Sequence, residues 1–255
     1  MRPSPARLPD RCSSWPASPF PPVNHIPPPP NLRALATDYD GTLAHDGAVS
    51  ESTVAALRRF KEAGHKLIMV TGRELNELIA ACPCLPMFDL AVVENGAVIY
   101  HPATGGIETL AGLPPTEFIT RLLERGLPVQ VGKVIVATWE PHENEVLQAI
   151  KDLGLELQVI FNKGAVMVLP GGVNKASGLS AALPRLGLEP AQVAGIGDAE
   201  NDHAFLEICG YSVAVSNALP AIKEQVHFST VGDHGDGVVE LINLMLAHPP
   251  PPPTP

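Results

Sequence analysis

The sequence predicts an α/β protein with a Rossmann-like, doubly wound parallel sheet as its core and a small α+β cap domain inserted into that core. Two observations lead to this fold class. Short apolar runs alternate with segments of helical periodicity over most of the 255 residues, as they do when helices cover both faces of a parallel sheet. A central segment breaks the alternation and ends in two apolar runs joined by a hairpin signal, which is typical of an antiparallel sheet.

The core strands are predicted from four short apolar runs. The first run, at 32–37, is followed by a helix that Ser50 can cap and that Gly64 can end. The helix that begins near Lys175 contains Pro184 and is therefore expected to end early or to kink. The other strands are predicted at 67–70, 193–196 and 212–215, with a helix at about 200–209 between the last two.

The cap is predicted to occupy residues 103–171, which leaves a discontinuous core domain of 31–102 and 172–248. The last two cap strands are separated only by Asn162-Lys163-Gly164-Ala165, a hairpin turn signal. The predicted order is helix, strand, helix, strand, strand, at 116–125, 129–138, 143–153, 157–161 and 166–169.

Both ends of the chain are rich in proline. Residues 1–30 hold eleven of the 28 prolines and residues 249–255 hold six. Proline at this density cannot sustain a helix or a strand ladder, so both tails are predicted to be disordered or locally polyproline II. A transit peptide is an alternative for the first thirty residues, favoured by Arg2, Arg7 and Arg11 and opposed by the prolines.

The composition excludes several classes of partner. The formal net charge is -10 and the basic residues are scattered, so the chain lacks the basic stripe that nucleic acid binding needs. No apolar run approaches the roughly 18 residues of a membrane span, and we expect a cytoplasmic protein. The cysteines lack a disulfide or zinc pattern and are expected to be reduced thiols; they are Cys12, Cys82, Cys84 and Cys209.

Two carboxylates stand directly after the first predicted strand. Asp38 and Asp40 would lie at the carboxyl end of a parallel strand, where open α/β sheets bind their ligands. Together they can bind a hard cation, and one can attack phosphorus while the other moves a proton. The structural alternative is a solvated turn in which the aspartates cap the next segment.

Two further segments could complete a phosphate site. Thr71 offers a hydroxyl and Gly72 lets the backbone approach an anion, although Arg73 could simply pair with Glu77. Lys175, at a helix start, could hold a phosphate or an aspartate, or it could be an ordinary surface lysine.

The turn after the predicted strand at 193–196 supplies two more carboxylates. Asp198 and Asp202 bracket a turn that glycine permits, so both can face one point and complete the oxygen coordination of magnesium. Capping of the next helix by Asp198 is the structural alternative.

Taken together and in their order along the chain, these segments resemble the motifs of the haloacid dehalogenase superfamily. The resemblance covers about residues 31–246. The segments are D-Y-D-G-T at 38–42, T-G-R at 71–73, V-V-E-N-G-A at 92–97, Lys175, G-D-A-E-N-D at 197–202 and D-G-V at 236–238. The resemblance implies that Asp38 is the nucleophile of an aspartyl-phosphate and that Asp40 is the general acid and base. It further implies phosphate binding by Thr71, Gly72 and Lys175, Mg²⁺ binding by Asp38, the Asp40 carbonyl, Asp198 and Asp202, support from Asn201, and substrate contacts for Arg73 and Asn95.

The spacing of the motifs places the cap. Only 29 residues separate Thr42 from Thr71, whereas 104 separate Thr71 from Lys175, so the insert follows the second motif and resembles subclass IIB. Phosphatases of that subclass act on sugar phosphates and phosphoglycolate, and we expect a small phosphorylated metabolite as substrate. A phosphomutase or phosphotransferase and a non-catalytic metabolite-binding protein remain alternatives. Polar cap positions that could meet the substrate are Glu140, His142, Asn162 and Lys163.

Overall fold

The computed structural model describes residues 26–162 and 164–248. Its strands are β1 (Ala34–Thr37), β2 (Lys66–Val70), β3 (Leu90–Val93), β4 (Val98–His101), β5 (Gly106–Thr109), β6 (Gln130–Val131), β7 (Val136–Trp139), β8 (Leu157–Asn162), β9 (Ala165–Pro170), β10 (Val193–Gly197), β11 (Tyr211–Ala214) and β12 (Phe228–Ser229). Its α-helices are α1 (Glu51–Glu62), α2 (Leu75–Ala81), α3 (Thr116–Glu124), α4 (Glu143–Asp152), α5 (Lys175–Ala182), α6 (His203–Ile208), α7 (Pro220–Lys223) and α8 (His234–Ala247).

The core is one eight-stranded sheet in the order β12-β11-β10-β1-β2-β3-β4-β5. The six strands from β12 to β3 run parallel, and β4 and β5 add an antiparallel edge. From β1 the chain builds outward through β2 and β3, and it later returns to place β10 on the other side of β1. The strand order therefore reverses between β1 and β10, which confirms the doubly wound core and creates a crevice at the carboxyl ends of those strands.

Local sequence explains where the core elements begin and end. The Ser50 side chain accepts the Thr53 N–H and starts α1, whose last turn is followed by Gly64 at φ 88°. The four residues of β1 are all buried, as expected for a central parallel strand. Helix α5 ends at Ala182 and continues as a 3₁₀ turn containing Pro184, which confirms the predicted early end.

The cap is a four-stranded antiparallel sheet in the order β6-β7-β9-β8, and α3 and α4 pack on it around a hydrophobic cluster of their own. Strands β8 and β9 pair as far as Asn162 and Ala165, which confirms the hairpin. The single strand predicted at 129–138 is wrong, because the chain turns after β6 and resumes as β7. The backbone N–H groups of Lys133, Val134 and Ile135 donate to the Glu94 carboxylate instead of to a strand.

The structure also bears on the domain boundaries. Strand β5 pairs with β4 in the core sheet, so we place the beginning of the cap after Thr109 rather than at residue 103. The Tyr211 hydroxyl donates to the Ile26 carbonyl at 2.7 Å and Pro28 is buried, so we place the start of the core before residue 31. The rest of the predicted tails, 1–25 and 249–255, lies outside the described residues. Within the described ranges, no helix is long and apolar enough to cross a bilayer.

A tight turn after β3 brings the core into contact with the start of α5. Glu94, Asn95 and Gly96 have successive φ angles of 50°, 54° and 101°, a left-handed conformation that non-glycine residues adopt at a cost. A Cβ atom at Gly96 would lie 1.9 Å from the Asn174 carbonyl oxygen. Only glycine therefore allows this turn to pack against the residue that caps α5.

Replacing Gly96 by alanine is expected to destabilise the protein by about 2–4 kcal/mol, because the new methyl group overlaps backbone and the φ angle is unfavourable. Thermal denaturation should show a melting temperature lower by about 6–12 °C for a protein of this size. Gly112 is the matched control, because a Cβ there meets no atom within 4 Å. Equal melting temperatures for Gly96→Ala and Gly112→Ala would contradict the packing described.

Candidate active site

The predicted residues converge at the carboxyl ends of neighbouring parallel strands. Asp38 follows β1, Thr71 follows β2, and Asp198 follows β10. The Asp38 N–H donates to the Ile196 carbonyl of β10 at 3.1 Å, and the Thr71 N–H donates to Val92 of β3 at 2.9 Å. The sheet hydrogen bonds therefore continue to Asp38 and Thr71 and fix the positions of their backbones.

A buried lysine lies at the centre of the site. The Lys175 Nζ donates to Asp38 Oδ1 at 2.7 Å and to Asp202 Oδ1 at 2.5 Å, and the lysine is 1% exposed. Its backbone is the first residue of α5, where the Asn174 side chain accepts the Ser177 N–H. The alternative of a surface lysine is therefore wrong, and Lys175 links α5 to the ends of both β1 and β10.

The two aspartates after β10 are fixed by hydrogen bonds. Asp202 Oδ2 accepts the N–H groups of Asp198 and Ala199, each at 2.9 Å. A Cβ at Gly197 would lie 2.7 Å from this carboxylate, so glycine makes room for it. Asp198 Oδ1 accepts the Thr42 hydroxyl at 2.9 Å, which ties the turn to the segment after Asp38.

Three buried carboxylates could hold a metal ion. Asp38, Asp198 and Asp202 each offer an oxygen, and these oxygens all lie within 4.8 Å of one another. Three carboxylates that converge on one point beside the ammonium of Lys175 form the kind of oxygen-lined site that a divalent cation occupies. The donor set is oxygen only and suits Mg²⁺. The Asp40 side chain is outside this group, and its carbonyl as a ligand stays a prediction.

Burial and the neighbouring charges shift the pKa values of both Asp38 and Lys175. Burial raises the pKa of the Asp38 carboxyl to about 8, Lys175 opposes that rise, and the Asp202 and Asp198 carboxylates add to it. Burial lowers the pKa of Lys175, but the carboxylates of Asp202 and Asp38 outweigh burial and raise it overall. The lysine is therefore charged, and the nucleophile candidate needs further positive charge to stay ionised near neutral pH.

Asp40 is held by an arginine that the sequence did not pair with it. Arg73 Nε donates to Asp40 Oδ2 and Nη2 to Oδ1, each at 2.7 Å. The guanidinium lies 5.2 Å from the centre of the Tyr39 ring, and the Tyr39 hydroxyl is fixed by the carbonyls of Gly47 and Ala81. This bidentate pair fixes the orientation of the Asp40 carboxylate, and Asp40 takes the place of Glu77 in the alternative that was considered for Arg73.

Thr71 and two buried amides complete the surroundings of the site. The Asn95 N–H donates to the Thr71 carbonyl at 3.0 Å, and the Arg73 N–H donates to the Thr71 hydroxyl at 3.2 Å. Among the described residues, Asn95 Oδ1 and both side-chain polar atoms of Asn201 are buried without a hydrogen-bond partner. Buried polar atoms without a partner are costly, so these amides have hydrogen-bonding capacity that the described residues do not use. Gly72 lies against the cap, since its Cβ would be 3.6 Å from Met167 Sδ.

A cavity of about 300 Å³ lies between this site and the cap. Of the polar cap positions that could face either the site or water, Asn162 lines the cavity, whereas Glu140 lines a neighbouring cleft that also includes Asp198. His142 lines neither, and Lys163 lies outside the described residues. The cavity is lined by Asp38, Asp40, Thr71, Gly72, Arg73, Glu74 and Glu77 from the core and by Gln130, Ile135, Ala137, Trp139, Asn162, Ala165 and Met167 from the cap.

Several cap residues of this wall were missed from the sequence, although strand alternation could have found them. Ala137 and Trp139 line the cavity, while the alternate residues Val136 and Thr138 are buried. Successive residues of a strand point to opposite faces, so the aromatic residue on the cavity face of β7 was a detectable candidate.

Comparisons with known proteins agree on one family. A family model described as haloacid dehalogenase-like hydrolase matches residues 35–124 and 116–242. A phosphoglycolate phosphatase of Methanothermobacter thermautotrophicus is 32% identical over 224 residues, covering 84% of this chain and 99% of the relative. A haloacid dehalogenase-like hydrolase from Bacteroides thetaiotaomicron superposes with a TM-score of 0.72 at 19% identity, covering 83% of this chain and 98% of its own. A subclass IIB sugar phosphatase gives 0.67 at 19% identity, covering 83% and 98%.

The pKa of Asp38 predicts how stability depends on pH in metal-free protein. A carboxyl whose pKa rises from 3.8 to about 8 on folding contributes stability that is complete below the lower value and is lost as pH rises through the higher one. Between about pH 5 and pH 8, the wild type should therefore lose at least about 5 °C of melting temperature relative to Asp38→Asn, whose amide stays neutral. Parallel curves for the two proteins in chelator would contradict this pKa shift.

Proposed function

The chain belongs to the haloacid dehalogenase-like hydrolases, and from that membership we propose that it is a magnesium-dependent phosphatase of a small phosphorylated metabolite. The observation that carries the proposal is the contact of the buried Lys175 with Asp38 at the wall of a cavity covered by the cap. A fixed ammonium beside a carboxylate suits attack on a phosphate, because it attracts the phosphoryl oxygens and favours the ionised nucleophile.

The class of substrate rests on the relatives and on the size of the cavity. Proteins named phosphoglycolate phosphatase and sugar phosphatase are similar to this chain. A cavity of about 300 Å³ is at the lower end of the range for small-molecule sites. We therefore propose a phosphorylated small acid or sugar, with phosphoglycolate as the first compound to test.

The proposed reaction has two steps. An Asp38 oxygen attacks phosphorus and forms an aspartyl-phosphate, while the bond from phosphorus to the leaving oxygen breaks and Asp40 gives that oxygen a proton. Water then attacks phosphorus and gives a proton to Asp40, and the bond between Asp38 and phosphorus breaks to release phosphate. Lys175 and the Thr71 hydroxyl hold the phosphoryl oxygens during both steps.

Arg73 holds both carboxylate oxygens of Asp40 in this scheme. Its two hydrogen bonds at 2.7 Å occupy the oxygens that must give a proton in the first step and accept one in the second. To give a proton in the first step, Asp40 must be released from at least one of these bonds. An anionic group on the substrate would compete for the guanidinium, and this is the substrate contact we propose for Arg73.

Mg²⁺ would be held by Asp38 and Asp198, with Asp202 as a further ligand or as a support for the others. When bound, it would neutralise the charge that develops on the phosphoryl oxygens. The fit rests on the three convergent carboxylates, whose donor atoms are all oxygens within 4.8 Å of one another. Asn201, whose amide lies buried nearby in the same turn, is proposed to support this set.

Asp38→Asn should abolish turnover of phosphoglycolate in the presence of magnesium, because an amide of nearly the same shape cannot act as the anionic nucleophile. Steady-state release of phosphate measures the effect. Asp46→Asn is the matched control, since Asp46 is exposed and lies outside the cavity, and it should keep wild-type activity. Retention of more than about a tenth of the activity by Asp38→Asn would contradict the proposed nucleophile.

Dialysis against a chelator should abolish activity, and added Mg²⁺ should restore it, because the clustered carboxylates would otherwise repel a phosphate. Added Mg²⁺ should also raise the melting temperature of the metal-free protein through binding to the folded state. The rise should be lost in Asp198→Asn and kept in Asp46→Asn. Full activity in metal-free buffer would argue against a metal-dependent reaction.

A further inference from the structure

Glu94 joins the core to the cap through a buried carboxylate. It comes directly after β3 in the core, and it is 0% exposed. Its Oε1 accepts the Lys133 N–H at 2.9 Å, and its Oε2 accepts the N–H groups of Val134 and Ile135 at 2.7 and 2.9 Å. Three consecutive backbone donors of the cap thus surround one carboxylate of the core, as they do in backbone sites for anions.

The cap loop is shaped to receive this carboxylate. A Cβ at Gly132 would lie 2.7 Å from each oxygen of Glu94, so a side chain there would occupy the place of the carboxylate. The Gly132 N–H donates to the Ile135 carbonyl at 2.8 Å, which closes the turn between β6 and β7. The loop therefore departs from a strand because its donors serve Glu94, and Gly132 makes that approach possible.

The same residue is tied to the phosphate motif through its backbone. The Glu94 N–H donates to the Arg73 carbonyl at 2.9 Å, and the N–H of the next residue, Asn95, donates to the Thr71 carbonyl at 3.0 Å. On the cap side, Ile135 lines the cavity above the site. One turn thus fixes the distance between the phosphate-binding residues and the cap wall that would face the leaving group.

We propose that Glu94 is a positioning residue that seats the cap over the phosphate site and thereby sets which esters fit. This selectivity role rests on the phosphatase activity proposed above, whereas the seating itself is a property of the fold. A charged acceptor is needed because hydrogen bonds to an ionised group are roughly twice as strong as neutral ones. Glutamine would keep the size but present an NH₂ group to backbone donors, which leaves at least one of the three N–H groups without its acceptor.

The test compares Glu94→Gln and Gly132→Ala with the wild type, and Glu156→Gln serves as control because Glu156 is an exposed cap residue. Glu94→Gln removes the charge on the core side of the contact. Gly132→Ala places a methyl group where the carboxylate lies, on the cap side. Hydrogen exchange of the amides of Lys133, Val134 and Ile135 reports the seating without any substrate. Both variants should speed exchange at these amides by at least about tenfold, and the control should not.

Activity then tests the selectivity role. In both variants, kcat/KM for phosphoglycolate should fall by at least about tenfold, mainly through KM, because the wall that contacts the leaving group is displaced. Hydrolysis of an aryl phosphate with a good leaving group should change by less than about threefold, because it depends less on that wall. A merely structural role would lower both activities in parallel.

The outcomes separate this inference from the proposed function. Unchanged exchange in Glu94→Gln overturns the seating, and faster exchange with parallel losses or with no loss of activity overturns the selectivity role. A wild type that hydrolyses no phosphate ester would refute the proposed function, while the exchange data would still decide whether Glu94 seats the cap.

Discussion

The site depends on one buried cation. Lys175 is 1% exposed and contacts both Asp38 and Asp202, and a lysine in such surroundings remains charged only because the carboxylates compensate the lost hydration. Removing one partner of a buried pair typically costs about 3–5 kcal/mol. Because the three residues come from α5, from the end of β1 and from the turn after β10, this charge cluster is also a packing constraint that brings separate parts of the chain to one point.

The charge cluster lies in a crevice that the topology of the sheet creates, and the cap covers that crevice. The reversal of strand order between β1 and β10 opens a crevice at their carboxyl ends. The turn after β3 then serves both domains: Gly96 packs against the start of α5, and Glu94 binds the cap loop. A conformational cost at this turn, with two non-glycine residues at positive φ, is offset by contacts on both sides of the cavity.

Sequence was sufficient where the physical signal is local. Buried strands appear as apolar runs, Ser50 caps α1 through a residue three positions away, and the aspartates follow their strands directly. It failed where the deciding partner is distant. Arg73 pairs with Asp40, 33 residues earlier, a partner that the sequence did not indicate. The chain breaks between β6 and β7 because its backbone donors bind Glu94, about 40 residues earlier. Local β propensity does not indicate this break. Strand β5 belongs to the core because it pairs with β4, which pairs with β3 on its other side.

The most direct measurement is the identification of the residue that becomes phosphorylated during turnover. Samples of the magnesium-loaded enzyme, quenched in acid within the first turnovers of phosphoglycolate, would be digested and analysed by mass spectrometry for a labile phosphoryl group. We expect it on Asp38 alone, and at higher occupancy in Asp40→Asn when the substrate is an aryl phosphate, because its good leaving group does not need the acid whereas the variant lacks the base that activates water. A phosphoryl group on another residue, or steady turnover with no phosphorylated protein in either enzyme, would contradict nucleophilic attack by Asp38.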